Sequence, residues 1–105
     1  MAKVIWTEPA ISDLNDIAEY IALDKVSAAK KLVKKVFNRV ELLSDAPSSG
    51  RKPPELGESR CREVIVGPCR IFYRSSGDEV IVHYAMRAER LLKNYILEAR
   101  TKNDN

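Results

Sequence analysis

Between Arg60 and Arg87 three apolar runs, RCREVIV, CRIFYR and EVIVHYAMR, carry five arginines, two tyrosines and the only histidine of the chain. Side chains of these types bind oxyanions and move protons: a guanidinium takes a phosphate or carboxylate through paired N–H donors, and an unperturbed imidazole exchanges a proton near neutral pH. Strand residues alternate between the two faces of a sheet, so a run with arginine at every second or third place cannot hide all of them in a core. Some of these arginines must reach water or a partner.

Two cysteines, Cys61 and Cys69, fall in adjacent predicted strands. Cys-x7-Cys with a single histidine has neither the ligand number nor the spacing of a zinc site, and no metal or other cofactor is implied. A reducing compartment disfavours a disulfide, which leaves two buried, reduced thiols as the expectation.

A length of 105 residues allows one domain with a modest core, here residues 1–100, followed by a frayed tail at 101–105. With 45% apolar and 31% charged residues the chain is not disordered. No run approaches the roughly 20 apolar residues of a membrane-spanning helix, and MAKVIWTEP lacks the pattern of a secretory leader, so a cytoplasmic protein with no membrane partner is expected. No small-molecule substrate is indicated.

Net charge is +3, unevenly distributed. Residues 8–24 hold Glu8, Asp13, Asp16, Glu19 and Asp24 without a base, whereas residues 25–44 hold six bases against Glu41. Two neighbouring helices of opposite charge would favour pairing with each other, although each exposed ion pair is worth only about 0.2–1 kcal/mol. A lysine face for RNA is the alternative reading of the second block. The excess positive charge lies in residues 51–74 and in the segment from Arg87 onward.

The elements that must position these groups are legible in outline. Lys3 to Trp6 reads as an edge strand. Thr7 offers an N-cap before Glu8 and Pro9, and Ala10, Leu14, Ile17, Ala18 and Ile21 recur at helical spacing. Asp24 or Ser27 could cap a second helix striped by Ala29, Leu32, Val33, Val36, Val40 and Leu43. A loop rich in proline and glycine follows from Pro47 to Gly57, then three strands separated by Gly67-Pro68 and Ser75-Ser76-Gly77-Asp78. Arg87 to Arg100 returns to helical spacing through Ala88, Leu91, Leu92, Tyr95 and Ile96. The expected order is β-α-α-β-β-β-α, an α+β fold with an antiparallel helical hairpin on one face of a four-stranded, mainly antiparallel sheet. Leu91, Leu92, Tyr95 and Ile96 are expected to cover the other face or to advertise a partner site.

VIWTEPAISDLNDIAEYIA resembles the opening of the RelE/ParE toxin superfamily, with a strand ending in Trp-Thr followed by Ala-x-x-Asp-Leu-x-x-Ile-x-x-Tyr-Ile on the first helix. LLSDAPSSGRK is similar to that family's Leu-x-x-x-Pro-x-x-Gly-Arg connection. Arg62-Glu63 and Arg70-Ile71-x-Tyr73 resemble its Arg-Glu and Arg-Ile-x-Tyr strands, and VIVHYAMR its last strand. The resemblance runs from about Val4 to Leu92 and leans towards the ParE branch. It implies a toxin of a type II toxin–antitoxin (plasmid stabilisation) module, held inactive by a cognate antitoxin protein. ParE-like members act on DNA gyrase and stop replication. RelE-like members cut messenger RNA in the ribosome, and other relatives only bind their antitoxin.

These implied activities place different demands on the same residues. Metal-free RNA cleavage needs an acid, a base and cations around the reacting phosphate. On that reading His83 is the acid and Glu63 the base, with Arg62 and Arg87 completing the catalytic group; Arg70 could also hold phosphate. Arg51 and Lys52 would track a nucleic-acid backbone, and Tyr73 or Tyr84 would stack a base. A gyrase poison needs only a complementary surface, for which the same Arg51, Lys52, Arg62, Arg70, Tyr73, Tyr84 and Arg87 are candidates. Each group also has a structural reading: Glu63 could pair with a cross-strand arginine, and His83 and the tyrosines could pack within the sheet. Simple alternation places His83 with Ile81, Ala85 and Arg87, and Tyr84 with Val82 and Met86. The antitoxin is expected to lie across the hairpin and a sheet edge, touching Leu14, Ile17, Tyr20, Ile21, Leu91 and Tyr95. The chain departs from the family in having Cys69 where a tyrosine is common. Its RKPPELGESR loop is less basic than that of the RNA-cutting branch, which favours gyrase.

Overall fold

In the computed structural model, which describes residues 1–90, 92 and 94–102, the β-branched start of the chain forms strand β1 (Lys3–Trp6). Thr7 ends the strand and starts helix α1 (Glu8–Ala22). Its Oγ1 accepts the Ala10 N–H at 3.3 Å and donates to the Val82 carbonyl at 2.9 Å, so one hydroxyl caps the helix and ties it to the sheet. Pro9 sits in the first turn, where its missing N–H costs nothing.

Helix α2 (Val26–Glu41) folds back on α1 to complete the hairpin. Neither Asp24 nor Ser27 caps it, contrary to the sequence expectation. The link is so short that Lys25 takes the N-cap place in an extended conformation without a side-chain bond, and Ser27 already lies in the first turn. A 3-10 turn at Leu42–Ser44 ends the helix, and another at Pro54–Leu56 interrupts the long loop.

Strands β2 (Arg62–Val66), β3 (Cys69–Ser76) and β4 (Glu79–Arg87) form the expected meander, and β1 adds to it in parallel beside β4, giving the order β1-β4-β3-β2. The two hairpins turn on Gly67-Pro68 and Gly77-Asp78. Simple alternation fails in β4. Phe72 pairs with Tyr84 but Tyr73 pairs with Val82, so His83 is an extra residue without a counterpart in β3. This bulge resets the parity: Val82 and Ala85 both join the core under the hairpin, whereas Tyr84 and Met86 lie with Phe72 in a second cluster.

The larger core joins Ala10, Leu14 and Ile17 of α1 and Leu32, Val36 and Val40 of α2 to the inner face of the sheet. Burying each leucine, isoleucine or valine among them contributes about 1.5–3 kcal/mol. On the second face, helix α3 (Asn94–Thr101) inserts Leu97 among Cys61, Phe72 and Met86. The helical segment is therefore shorter than Arg87–Arg100. Arg87 is still paired with Cys69, and the Ala88 N–H donates to the Pro68 carbonyl, so the sheet retains this part of the chain. Leu97 does the covering, with Leu92 partly buried against the cluster and Ile96 half-buried. The expectations for Leu91, for the Tyr95 side chain and for the end of the tail at 103–105 lie outside the described residues.

The loop that follows α2 is anchored where it passes Tyr73. The buried phenol accepts the Gly50 N–H at 2.9 Å and donates to the Pro47 carbonyl at 2.7 Å. A Cβ at Gly50 would come within 2.5 Å of that phenolic oxygen and 2.7 Å of the Glu63 carbonyl, so only glycine fits. Gly50→Ala should destabilise the protein by about 1–3 kcal/mol in urea denaturation; a variant as stable as the parent would show that the loop is free to move away.

Candidate functional site

The arginine-rich sheet folds around Glu63, whose side chain is fully buried. Glu63 Oε1 accepts Arg70 Nε at 2.6 Å, and Oε2 accepts Arg70 Nη2 at 3.1 Å and Arg51 Nε at 2.8 Å. The backbones of Arg51 and Glu63 also exchange two hydrogen bonds, at 2.8 and 3.0 Å, outside the regular ladder. Arg70 turns its remaining donors to Glu55, with Nη1 on Oε2 at 2.6 Å and Nη2 on Oε1 at 2.9 Å, and lies 5.1 Å from the Phe72 ring centroid. Arg62 donates to the Gly50 carbonyl at 2.9 Å. Two arginines and two glutamates thus form one chain of charge running from the sheet to the loop.

A second cluster joins the bulge to the helices. The bulge leaves the Ala85 N–H directed at Asp13 Oδ2, which accepts it at 3.1 Å, and Arg100 of α3 donates to the same carboxylate and to the His83 carbonyl. The Arg100 guanidinium stacks 4.8 Å from the Tyr84 ring. Arg87 lies 3.9 Å over the ring of Tyr20 and pairs with Glu89 at 3.3 Å. An open groove between α1 and the end of β4 is bounded by Asp16, Tyr20, Tyr84, Arg87 and Arg90.

The sequence candidates therefore divide into two places. Arg51, Arg62, Glu63, Arg70 and Tyr73 meet at the loop, and Tyr84 and Arg87 flank the groove; His83 is buried in the bulge. Glu63 and His83 lie on β2 and β4 with β3 between them, about 10 Å apart at strand spacing. Lys52 is exposed on the loop. Of the proposed antitoxin contacts, Leu14 and Ile17 face the sheet and are buried in this chain's own core, Ile21 is half-buried, and Tyr20 is exposed. The site also uses Asp13, Glu55 and Arg100, which sequence reasoning had not singled out. Asp13 carried a usable signal, an acid flanked at helical spacing by the core positions Ala10, Leu14 and Ile17.

Burial pushes the Cys61 thiol up to about 12 and the Cys69 thiol up to about 11. Both are free, buried thiols, as the sequence suggested.

The model of a family described as the ParE toxin of the type II toxin–antitoxin system parDE matches residues 4–92. The chain is 32% identical over 80 residues to the candidate toxin Y4kP of Sinorhizobium fredii, covering 76% of this chain and 82% of that protein. It is also 32% identical over 68 residues to toxin RelE2 of Caulobacter vibrioides, covering 65% and 73% of the two chains. A structure of the chromosomal ParDE system from P. aeruginosa superposes with a TM-score of 0.71 at 25% identity, over 85% of this chain and 98% of that one.

The outer tie of the charge chain is sensitive to acid. Hydrogen bonds from Arg70, then from the loop backbone, lower the Glu55 carboxyl from 4.5 to about 2. A depressed carboxyl stabilises the fold fully above its unfolded value and loses that contribution as pH falls through the folded one, here between 4.5 and about 2. With the Glu55 side chain 42% exposed, solvent screening makes the contribution small. Melting curves should show the parent losing Tm more steeply than Glu55→Gln across that window and in parallel with it above; equal slopes would mean that Glu55 does not hold Arg70 in solution.

Proposed function

The chain belongs to the ParE toxin family of type II toxin–antitoxin systems, and from that premise we propose that it stops replication by binding and poisoning DNA gyrase until a cognate antitoxin neutralises it. What carries the choice of a binding mechanism over RNA cleavage is the state of Glu63. A general base needs a lone pair within reach of the proton it takes, and this carboxylate is enclosed and occupied by Arg51 and Arg70. The histidine that would serve as acid is buried two strands away. Arg51, Lys52, Arg62 and Arg87 are then read as parts of a recognition surface, with Arg70 supporting the loop that presents the first two.

The antitoxin contact is assigned to the tip and outer face of the helical hairpin. Tyr20, Leu23 and Val26 are 56, 86 and 57% exposed, and an apolar groove beside them runs between Ala18 and Ala22 of α1 and Ala29 and Val33 of α2. Apolar surface of this kind fits a partner helix. Glu19 and Lys30 border the groove on opposite helices and give a partner's charges a preferred direction.

Antitoxin-free protein should inhibit gyrase supercoiling and trap cleaved DNA while leaving messenger RNA intact on programmed ribosomes. His83→Gln should keep that gyrase activity within about threefold, whereas loss of a catalytic acid would cost about 100-fold or more. RNA cleavage that disappears in the variant would replace gyrase poisoning with ribonuclease action. For the antitoxin, Leu23→Glu combined with Val26→Glu should weaken binding by about 10- to 100-fold with little change in Tm; unchanged affinity would move the contact elsewhere.

A further inference from the structure

Arg70 is fixed from one side and closed from the other. Its Nε and Nη2 rest on Glu63, which is itself held by Arg51, so the guanidinium keeps its place without help from Glu55. On the outer side Nη1 and Nη2 grip the two oxygens of Glu55 at 2.6 and 2.9 Å. This is the two-pronged geometry in which arginine takes a phosphate. The Arg70 side chain is 8% exposed and that of Glu55 42% exposed, so the cation is built into the fold and the anion sits at its mouth.

The backbone that carries Glu55 is suited to withdrawal. It belongs to a three-residue turn, Pro54–Leu56, followed by Gly57 at a φ of 57° with nothing within 4 Å of where a Cβ would stand. Swinging the carboxylate outward would leave the bonds among Arg51, Glu63 and Arg70 untouched. We propose that the outer fork of Arg70 is a phosphate-binding site and that Glu55 is an intramolecular plug that keeps it closed.

The charge balance gives the plug its purpose. Arg51, Arg70, Glu63 and Glu55 sum to zero, and withdrawal of Glu55 leaves one positive charge facing outward, with exposed Lys52 on the same loop. A cavity of about 130 Å³ opens beside Glu55 between the loop and α3, bounded by Ser59, Leu97 and Thr101. Glu98 also borders it and opposes any anion that lacks a direct grip on Arg70. The site would therefore select a phosphate that displaces Glu55 over one that merely approaches the basic loop. This inference concerns the chemistry of the site and stands apart from the choice of gyrase as target.

The test is an NMR titration of the full chain as parent, Glu55→Gln and Glu55→Ala, following the Arg70 Nε–H and the Glu63 amide. The probes are inorganic phosphate and a short single-stranded oligothymidylate. Both variants should bind inorganic phosphate about tenfold or more tightly than the parent, with the Arg70 Nε–H shifting at saturation. Tighter binding of the oligonucleotide would identify a nucleic-acid backbone as the source of the phosphate, and equal affinity a free anion. Folded variants that bind no better than the parent, or that bind without moving the Arg70 resonance, would overturn the proposal.

Discussion

A carboxylate enclosed by protein must find its counter-charges inside the fold, and Glu63 draws Arg51 and Arg70 to itself from a loop and a neighbouring strand. Much of the site follows from that requirement. The Arg51 backbone is paired with that of Glu63, which sets Gly50 against the Tyr73 phenol and fixes the path of the loop from Pro47 onward. Arg70, once seated, carries Glu55 and lies close to Phe72. A buried ionic network of this kind adds little net stability compared with a well-packed apolar core, but breaking it by removing one partner is costly. Its effect here is to specify where a loop rich in proline and glycine must lie.

The bulge at His83 is the second organising feature. An extra residue in β4 changes which side chains face the hairpin and leaves the Ala85 N–H in need of an acceptor. Asp13 supplies it from α1 and takes Arg100 from α3 on the same carboxylate. Three elements distant in sequence thereby meet at one side chain. Leu97 completes the contact by covering the second face of the sheet, which the hairpin cannot reach.

The strands, the hairpin and their order were legible in the sequence because each rests on local periodicity and turn residues, as in the Thr7 cap and the Gly67-Pro68 turn. The pairing of Glu63 with a cross-strand arginine was one of two readings that its position on β2 allowed, and Arg70 of β3 is indeed paired with that buried carboxylate. The bulge left no mark in the run EVIVHYAMR, since alternation looks regular until the register with β3 is known. Nor could spacing name the partners of Glu55, Asp13 or Arg100, which lie 15 to 87 residues away. The start of the last helix was placed too early because Ala88 and the leucines after it suit a helix, while the ladder to Cys69 keeps Arg87 in the sheet and α3 begins only at Asn94.

The measurement that bears most directly on this arrangement is a comparison of stability and toxin activity in Glu63→Gln. If the carboxylate organises the site without reacting, urea denaturation will register a loss of about 3–5 kcal/mol. Activity per folded molecule, measured where the variant remains folded, will then stay within roughly threefold of the parent, since no proton transfer has been lost. A variant as stable as the parent but inactive would contradict this and make Glu63 a reacting group.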